Sequence, residues 1–247
     1  MNQILVTKKL YITPELKRKK KIYKFDFLIS LFVVFVLISV CIYAEYDRNK
    51  SEATSQDILA DINEQVDSTV AKNNVLVVVL DEENEREQAE TEENEKPSMA
   101  TTKTLQTTND GYQYATVATI NIPKINVNYP ILDGTTDSTE ETESLLKISP
   151  TKFWGPEPNE VGNFCIVGHN YRNTKFFSKV PTLGNGDIIE ITDMEGKTIQ
   201  YKIYDKYQVD PTDLSCTSQL TNGNKEITLI TCTDDSKQRV IVKAREV

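Results

Sequence analysis

Three residues in this chain have the types and spacing for covalent nucleophilic catalysis: Cys232, Arg239 and His169. The stretch ITLITCTDDSKQRVIVKARE, Ile227 to Glu246, holds two β-branched alternating runs, Ile227–Cys232 and Arg239–Arg245. Between them lies the polar, turn-forming Thr233–Gln238, so the spacing predicts an antiparallel hairpin. With that loop, Cys232 stands directly across from Arg239. Opposed residues send their side chains to one face, with Cβ atoms about 5 Å apart. A cysteine facing a permanently charged guanidinium suits a nucleophile better than inert packing.

His169 is the one histidine in the chain, so any imidazole chemistry must use it. The compact apolar run Asn163–Gly168 reads as a strand that delivers it, and alternation puts Cys165, Val167 and His169 on one face. Taken singly, each residue has a bland reading. A histidine at a strand end is more often a hydrogen-bonded structural residue, and a buried cysteine is more often packing. Together, one His, a Cys and an opposed Arg make nucleophilic Cys–His catalysis the leading enzyme reading.

The remaining residues argue against other chemistries. Cys41 lies in an apolar run. Cysteines outside the cell commonly pair, but the mid-strand place of Cys165 and the loop place of Cys216 argue against a bridge between them. No CxxC, HExxH or histidine cluster supports a zinc site. Gly184-Asn185-Gly186 reads as a turn before a strand, not a phosphate loop. No cofactor and no metal are expected.

The elements that must position these residues follow from patterning. Ala115–Ile122 alternates, Pro123 interrupts, and Ile125–Ile131 resumes as a second strand. Ser138–Ile148 is a short helix candidate. Asp187–Thr192 and Thr198–Asp205 form a hairpin around Met194-Glu195-Gly196, which Lys206–Val209 continues. Pro211–Asn224 then connects to the closing hairpin. Seven or eight short strands with few helices predict an all-β sandwich or barrel over residues 112–247. That length buries an adequate core without disulfides.

Charge is unevenly spread over the 247 residues, whose net is −9. Residues 1–24 form a basic tip with eight Lys/Arg against the single acid Glu15. Residues 45–103 carry a net of −10 and residues 104–247 a net of −5. Without a basic surplus in the folded region, nucleic acid is excluded as a partner. Between tip and acidic middle, Phe27–Ala44 is eighteen residues without a charge, inside a 25–44 anchor. That suffices to span a bilayer as a helix. The run exceeds the apolar core of a cleaved signal and lacks an Ala-x-Ala site, so it reads as an uncleaved anchor. The Lys17–Lys21 cluster places the N-terminus in the cytoplasm and the rest beyond Ala44 outside the cell.

Residues 45–111 read as an acidic stalk. Ile58, Ile62 and Val66 suggest one amphipathic helical stretch. Val75–Leu80 reads as a sticky strand or helix end, and Asp81–Lys96 is too charged to bury anything. Residues before about Thr108 are therefore expected to be dispensable for chemistry.

Thr228-Leu229-Ile230-Thr231-Cys232 resembles the TLxTC signature of sortases, and Gly168-His169 their strand-end histidine. Arg239 falls where that family keeps an arginine. The likeness runs from about Ala115 to Val247, through Ile120-Asn121-Ile122-Pro123-Lys124-Ile125 and Val209-Asp210-Pro211-Thr212-Asp213. It implies an eight-stranded β-barrel and a membrane-anchored cysteine transpeptidase, a thiol protease turned acyltransferase, of Gram-positive bacteria. Such enzymes cut an LPxTG-like signal at the C-terminal end of surface proteins and transfer the protein to a peptidoglycan precursor amine. Among the classes, the cysteine strand is similar to class A, and Gly168-His169-Asn170-Tyr171 with the overall brevity suits class D-like enzymes. Lys206–Glu226 is too short for the class B insertion, and no class C lid motif is evident. The other readings are a papain-like or L,D-transpeptidase-like cysteine enzyme, or an inactive membrane-tethered β-domain that only binds.

Overall fold

The β-branched runs become strands, and eight of these strands close on themselves. The computed structural model describes residues 14–73, 105–136 and 138–247. The Val75–Leu80 run and the Asp81–Lys96 spacer lie outside the described residues. The chain divides into two compact units, Met1–Lys50 and Ser51–Val247.

In the first unit the described residues belong to helix α1 (Pro14–Asn73), which also enters the second unit. Its apolar stretch leaves Phe27, Phe32, Phe35 and Leu37 exposed. Among the described residues it is the one helix long and apolar enough to cross a membrane, with a peak mean hydropathy of 2.9.

The second unit is built from β1 (Gln106–Thr107), β2 (Gln113–Ile122), β3 (Val127–Gly134), helix α2 (Thr139–Leu146), β4 (Thr151–Trp154), β5 (Gly162–Val167), β6 (Ile188–Asp193), β7 (Thr198–Val209), β8 (Lys225–Cys232) and β9 (Arg239–Glu246). The strands neighbour one another in the order β1-β2-β3-β4-β5-β8-β9-β7-β6, and β6 returns to pair with β2. Strands β2 to β9 thus form a closed eight-stranded barrel, with β1 a two-residue addition on β2. Closure removes the unpaired edges an open sheet would offer to other chains. The pairings β3–β4 and β5–β8 are parallel.

Period-two alternation decides what each face of the barrel holds. Phe164, Ile166, Leu229 and Val242 point into the interior core. The intervening Cys165, Ile230 and Ile241 point outward, where Cys216 and partly buried Val167, Tyr207 and Val209 cover them. This covered patch on the outer wall underlies the candidate site.

Helix α2 begins at Ser138, whose hydroxyl accepts from the Glu141 backbone N–H at 3.1 Å. Buried Glu141 reaches back to accept from the backbone N–H groups of Thr135 and Thr136, both at 2.9 Å. The Ser138 hydroxyl satisfies a donor that the helix start would otherwise leave orphaned, and Glu141 ties down the loop that precedes the helix.

The end of α1 joins the barrel. Ile58 packs with Tyr114, Leu132 and Leu145, with Ile62 and Ile148 alongside. Leu59 and Ser55 are buried too. The compact unit therefore begins at Ser51, inside the stretch that patterning assigned to the stalk. The side chain of Val66 lies outside the described residues.

Candidate active site

The closing hairpin has the register its alternation predicts: Cys232 pairs with Arg239, Ile230 with Ile241 and Thr228 with Lys243. The loop between them is closed by the Thr233 N–H donating to the Gln238 carbonyl at 3.0 Å and the Ser236 N–H to the Thr233 carbonyl at 2.8 Å. Cys232 and Arg239 are both half-buried and lie on the outer face of the barrel.

His169 reaches the same face by a different route. β5 runs parallel to β8 with Val167 beside Ile230. Past the end of β5 the Gly168 N–H donates to the Ile230 carbonyl at 3.1 Å, and the Thr231 hydroxyl donates to the Gly168 carbonyl at 2.8 Å. These bonds hold Gly168-His169 alongside Thr231-Cys232. Thr231 is thereby committed to the backbone in a buried position, a structural role. Position 168 has no room for a side chain, since a Cβ there would lie 2.5 Å from the Phe177 ring.

The loop after His169 ties itself to the cysteine hairpin. The Asn170 amide donates to the Cys232 carbonyl at 2.9 Å and to the Asp234 carboxylate at 3.0 Å. The Arg172 guanidinium donates to the Ser236 hydroxyl at 2.9 Å. Asn170 belongs to the Gly168-His169-Asn170-Tyr171 stretch that carries part of the resemblance, but patterning assigned it no role of its own.

Burial pushes the His169 imidazole below its ordinary 6.5. The Glu143 carboxylate opposes this and the Lys147 ammonium adds to it. Both come from the α2 region, which no local pattern linked to the histidine. The His169 ring also lies against Tyr171, centroids 5.0 Å apart.

A groove of about 460 Å³ runs along this outer face. Val167, Ile230, Ile241 and Cys216 line its floor, Leu145 and Trp154 its sides, and it reaches Arg239. All four cysteines are free thiols. Burial pushes Cys165 up to about 12 and raises Cys216 as well, so neither is a ready nucleophile.

Arg245, on the same strand face as Arg239, is differently employed. Its guanidinium donates twice to buried Glu226, at 2.9 and 2.6 Å, and lies over the Tyr204 ring at 5.0 Å. Among the described residues no salt bridge forms at Arg239.

Curated proteins give no match. Among solved structures, a sortase D5 transpeptidase from Clostridium perfringens is 32% identical, with 54% of this chain and 79% of that one covered and a TM-score of 0.46. Sortase A from Corynebacterium diphtheriae is 28% identical over 53% of this chain and 60% of that one, TM-score 0.45. Sortase C-1 from Actinomyces oris is 26% identical over 53% and 71%, TM-score 0.46. The family model described as the sortase domain matches residues 120–247, more than half of the chain and the span that carries Cys232, His169 and Arg239. The chain belongs to the sortase family.

Proposed function

We propose that this protein is a membrane-anchored cysteine transpeptidase that cleaves an LPxTG-like sorting signal and transfers the released acyl group to a cell-wall precursor amine. The observation that carries this reading is that the Cys232–Arg239 pair and the strand end that delivers His169 lie side by side on the barrel, with a groove of about 460 Å³ that reaches Arg239. The Cys232 thiolate attacks the carbonyl of the scissile Thr–Gly bond, forming a C–S bond and an oxyanion. Arg239 offers a planar fork of donors to that oxyanion or to the peptide backbone. As the C–N bond breaks, His169 in its protonated form gives a proton to the departing amine. The incoming amine then attacks the thioester, His169 takes its proton, and the C–S bond breaks to return the thiolate. No cofactor enters either step.

The α1 anchor and the Lys-rich tip support a single-pass protein with the N-terminus in the cytoplasm and the barrel outside. The short link between β7 and β8, holding one 3₁₀ turn at Ser215–Thr217, supports a housekeeping-type or class D-like enzyme. The test is to incubate the protein with a sorting-peptide library and an amine, then identify products by mass spectrometry. Peptides cleaved after Thr and joined to the amine are expected. Their absence across the library overturns the reading and leaves a binding module.

A further inference from the structure

The Ser51–Ile62 stretch of α1 touches the α2 region, whose charges bear on His169, and the side chains that hold the loop after it. On one side Ile58 and Ile62 pack against Leu145 and Ile148, at the end of α2 and just beyond it. The α2 region also brings the Glu143 and Lys147 charges to bear on the imidazole. The Ser55 hydroxyl bonds to buried Ser149 at 2.9 Å; Ser149 donates onward to the Pro130 carbonyl, so Ser55 is the donor.

On the other side a continuous series of contacts leads from Glu52 to His169. The Glu52 carboxylate pairs with Lys175 at 2.6 Å and accepts from the Tyr129 hydroxyl at 3.2 Å. The same Tyr129 oxygen accepts the Phe176 backbone N–H at 3.3 Å, and the two rings stack with centroids 5.0 Å apart. Phe176 meets Tyr171 edge-on at 5.7 Å, and Tyr171 lies against His169. The backbone closes the circuit, with Asn170 bridged to Phe176 and the Phe177 N–H donating to the His169 carbonyl at 3.1 Å.

This loop does not hold its shape by local preference. Phe176 has φ 48, a left-handed conformation that a bulky residue avoids unless its surroundings over-determine it. Those surroundings are Tyr129 and, through it, Glu52. We propose that the Ser51–Ile62 segment positions the His169 imidazole, with Tyr129 and Glu52 as positioning residues that fix the loop on which it is carried. The proposal rests on the acid–base role given to His169 above.

With one histidine in the chain, a sample carrying labelled histidine gives one imidazole resonance, which reports the loop whether or not the protein turns over. The experiment uses the full chain in detergent and compares Tyr129→Phe, Glu52→Ala and Glu52→Gln with the parent. Tyr129→Phe and Glu52→Ala are expected to displace the resonance and raise its titration midpoint as water reaches the ring. They should lower kcat by up to about 100-fold, the scale of a 1 Å misplacement, with KM little changed. The Glu52→Gln side chain still accepts from Tyr129 and should stay near the parent. The Tyr129→Phe, Glu52→Ala pair should be no worse than either alone, because both act along one path.

A merely structural role lowers the melting temperature and leaves the resonance in place. An unmoved resonance or an unmoved kcat in Glu52→Ala overturns the proposal, and this variant carries the test even if Tyr129→Phe does not fold. His169→Ala is assayed in parallel. If it keeps turnover the acid–base reading fails, whereas the resonance still reports whether helix and loop are coupled.

Discussion

At the scale of single residues, the barrel wall sorts side chains by what they can still do. Cys165 and Cys216 are buried in a covered patch with thiols held up by burial, whereas Cys232 is half-buried at the rim of the hairpin. Within the barrel, a thiol-reactive probe should therefore label Cys232 ahead of Cys165 and Cys216, which react only on unfolding; peptide mapping reads the order. For His169, burial places the folded midpoint below the ordinary 6.5. The stabilisation this histidine gives to the fold is fully present above that value and is lost as pH falls through the folded midpoint. The difference in stability between the parent and His169→Gln, followed by thermal melts from pH 8 to pH 4, should shrink over that window. Arg239→Lys keeps charge but loses the donor fork, and should cost about 100–1000-fold in turnover, about 2.7–4 kcal/mol. Arg245→Lys is the informative partner. It loosens the pair with Glu226, so it should lower stability by no more than about 1 kcal/mol while turnover survives.

Elements explain which parts of this arrangement could be read from the chain. The Cys232–Arg239 pairing was legible because both partners lie on one hairpin, where alternation and loop length alone set the register. His169 was legible as the chain's one histidine at a strand end. Its place beside Cys232 was not, because it depends on the parallel β5–β8 pairing between strands distant in sequence. Strand β4 left no signal. Its four residues, Thr151–Trp154, fall between Pro150 and Gly155-Pro156, too short for a period to show. The Ile58 and Ile62 spacing announced an amphipathic helix but not the surface it covers. Gly168 tests whether the strand end really sets the imidazole. Gly168→Ala drives a methyl into the Phe177 ring, so it should displace the loop and depress kcat more than it depresses the melting temperature. Steady-state kinetics and calorimetry on one sample make that comparison.

For the molecule as a whole, the compact unit that holds the barrel begins at Ser51. A chain truncated to Asn109–Val247 exposes the surface that Ile58 and Leu59 cover. Each buried side chain contributes about 1.5–3 kcal/mol at most. Compared with a chain that starts at Ser51, the shorter one should melt at a lower temperature. Topology is a separate matter. Protease added to intact, wall-stripped cells should release the barrel, and full protection would refute its placement outside.

The central claim is that Cys232 carries the acyl group between donor and acceptor. Intact-mass spectrometry of the protein mixed with a cognate sorting peptide, without amine and quenched in acid, tests it directly. The expected product is an added mass equal to the peptide up to its threonine, located at Cys232, discharged by hydroxylamine and absent from Cys232→Ala. Turnover without such an adduct, or an adduct that persists in Cys232→Ala, would contradict it.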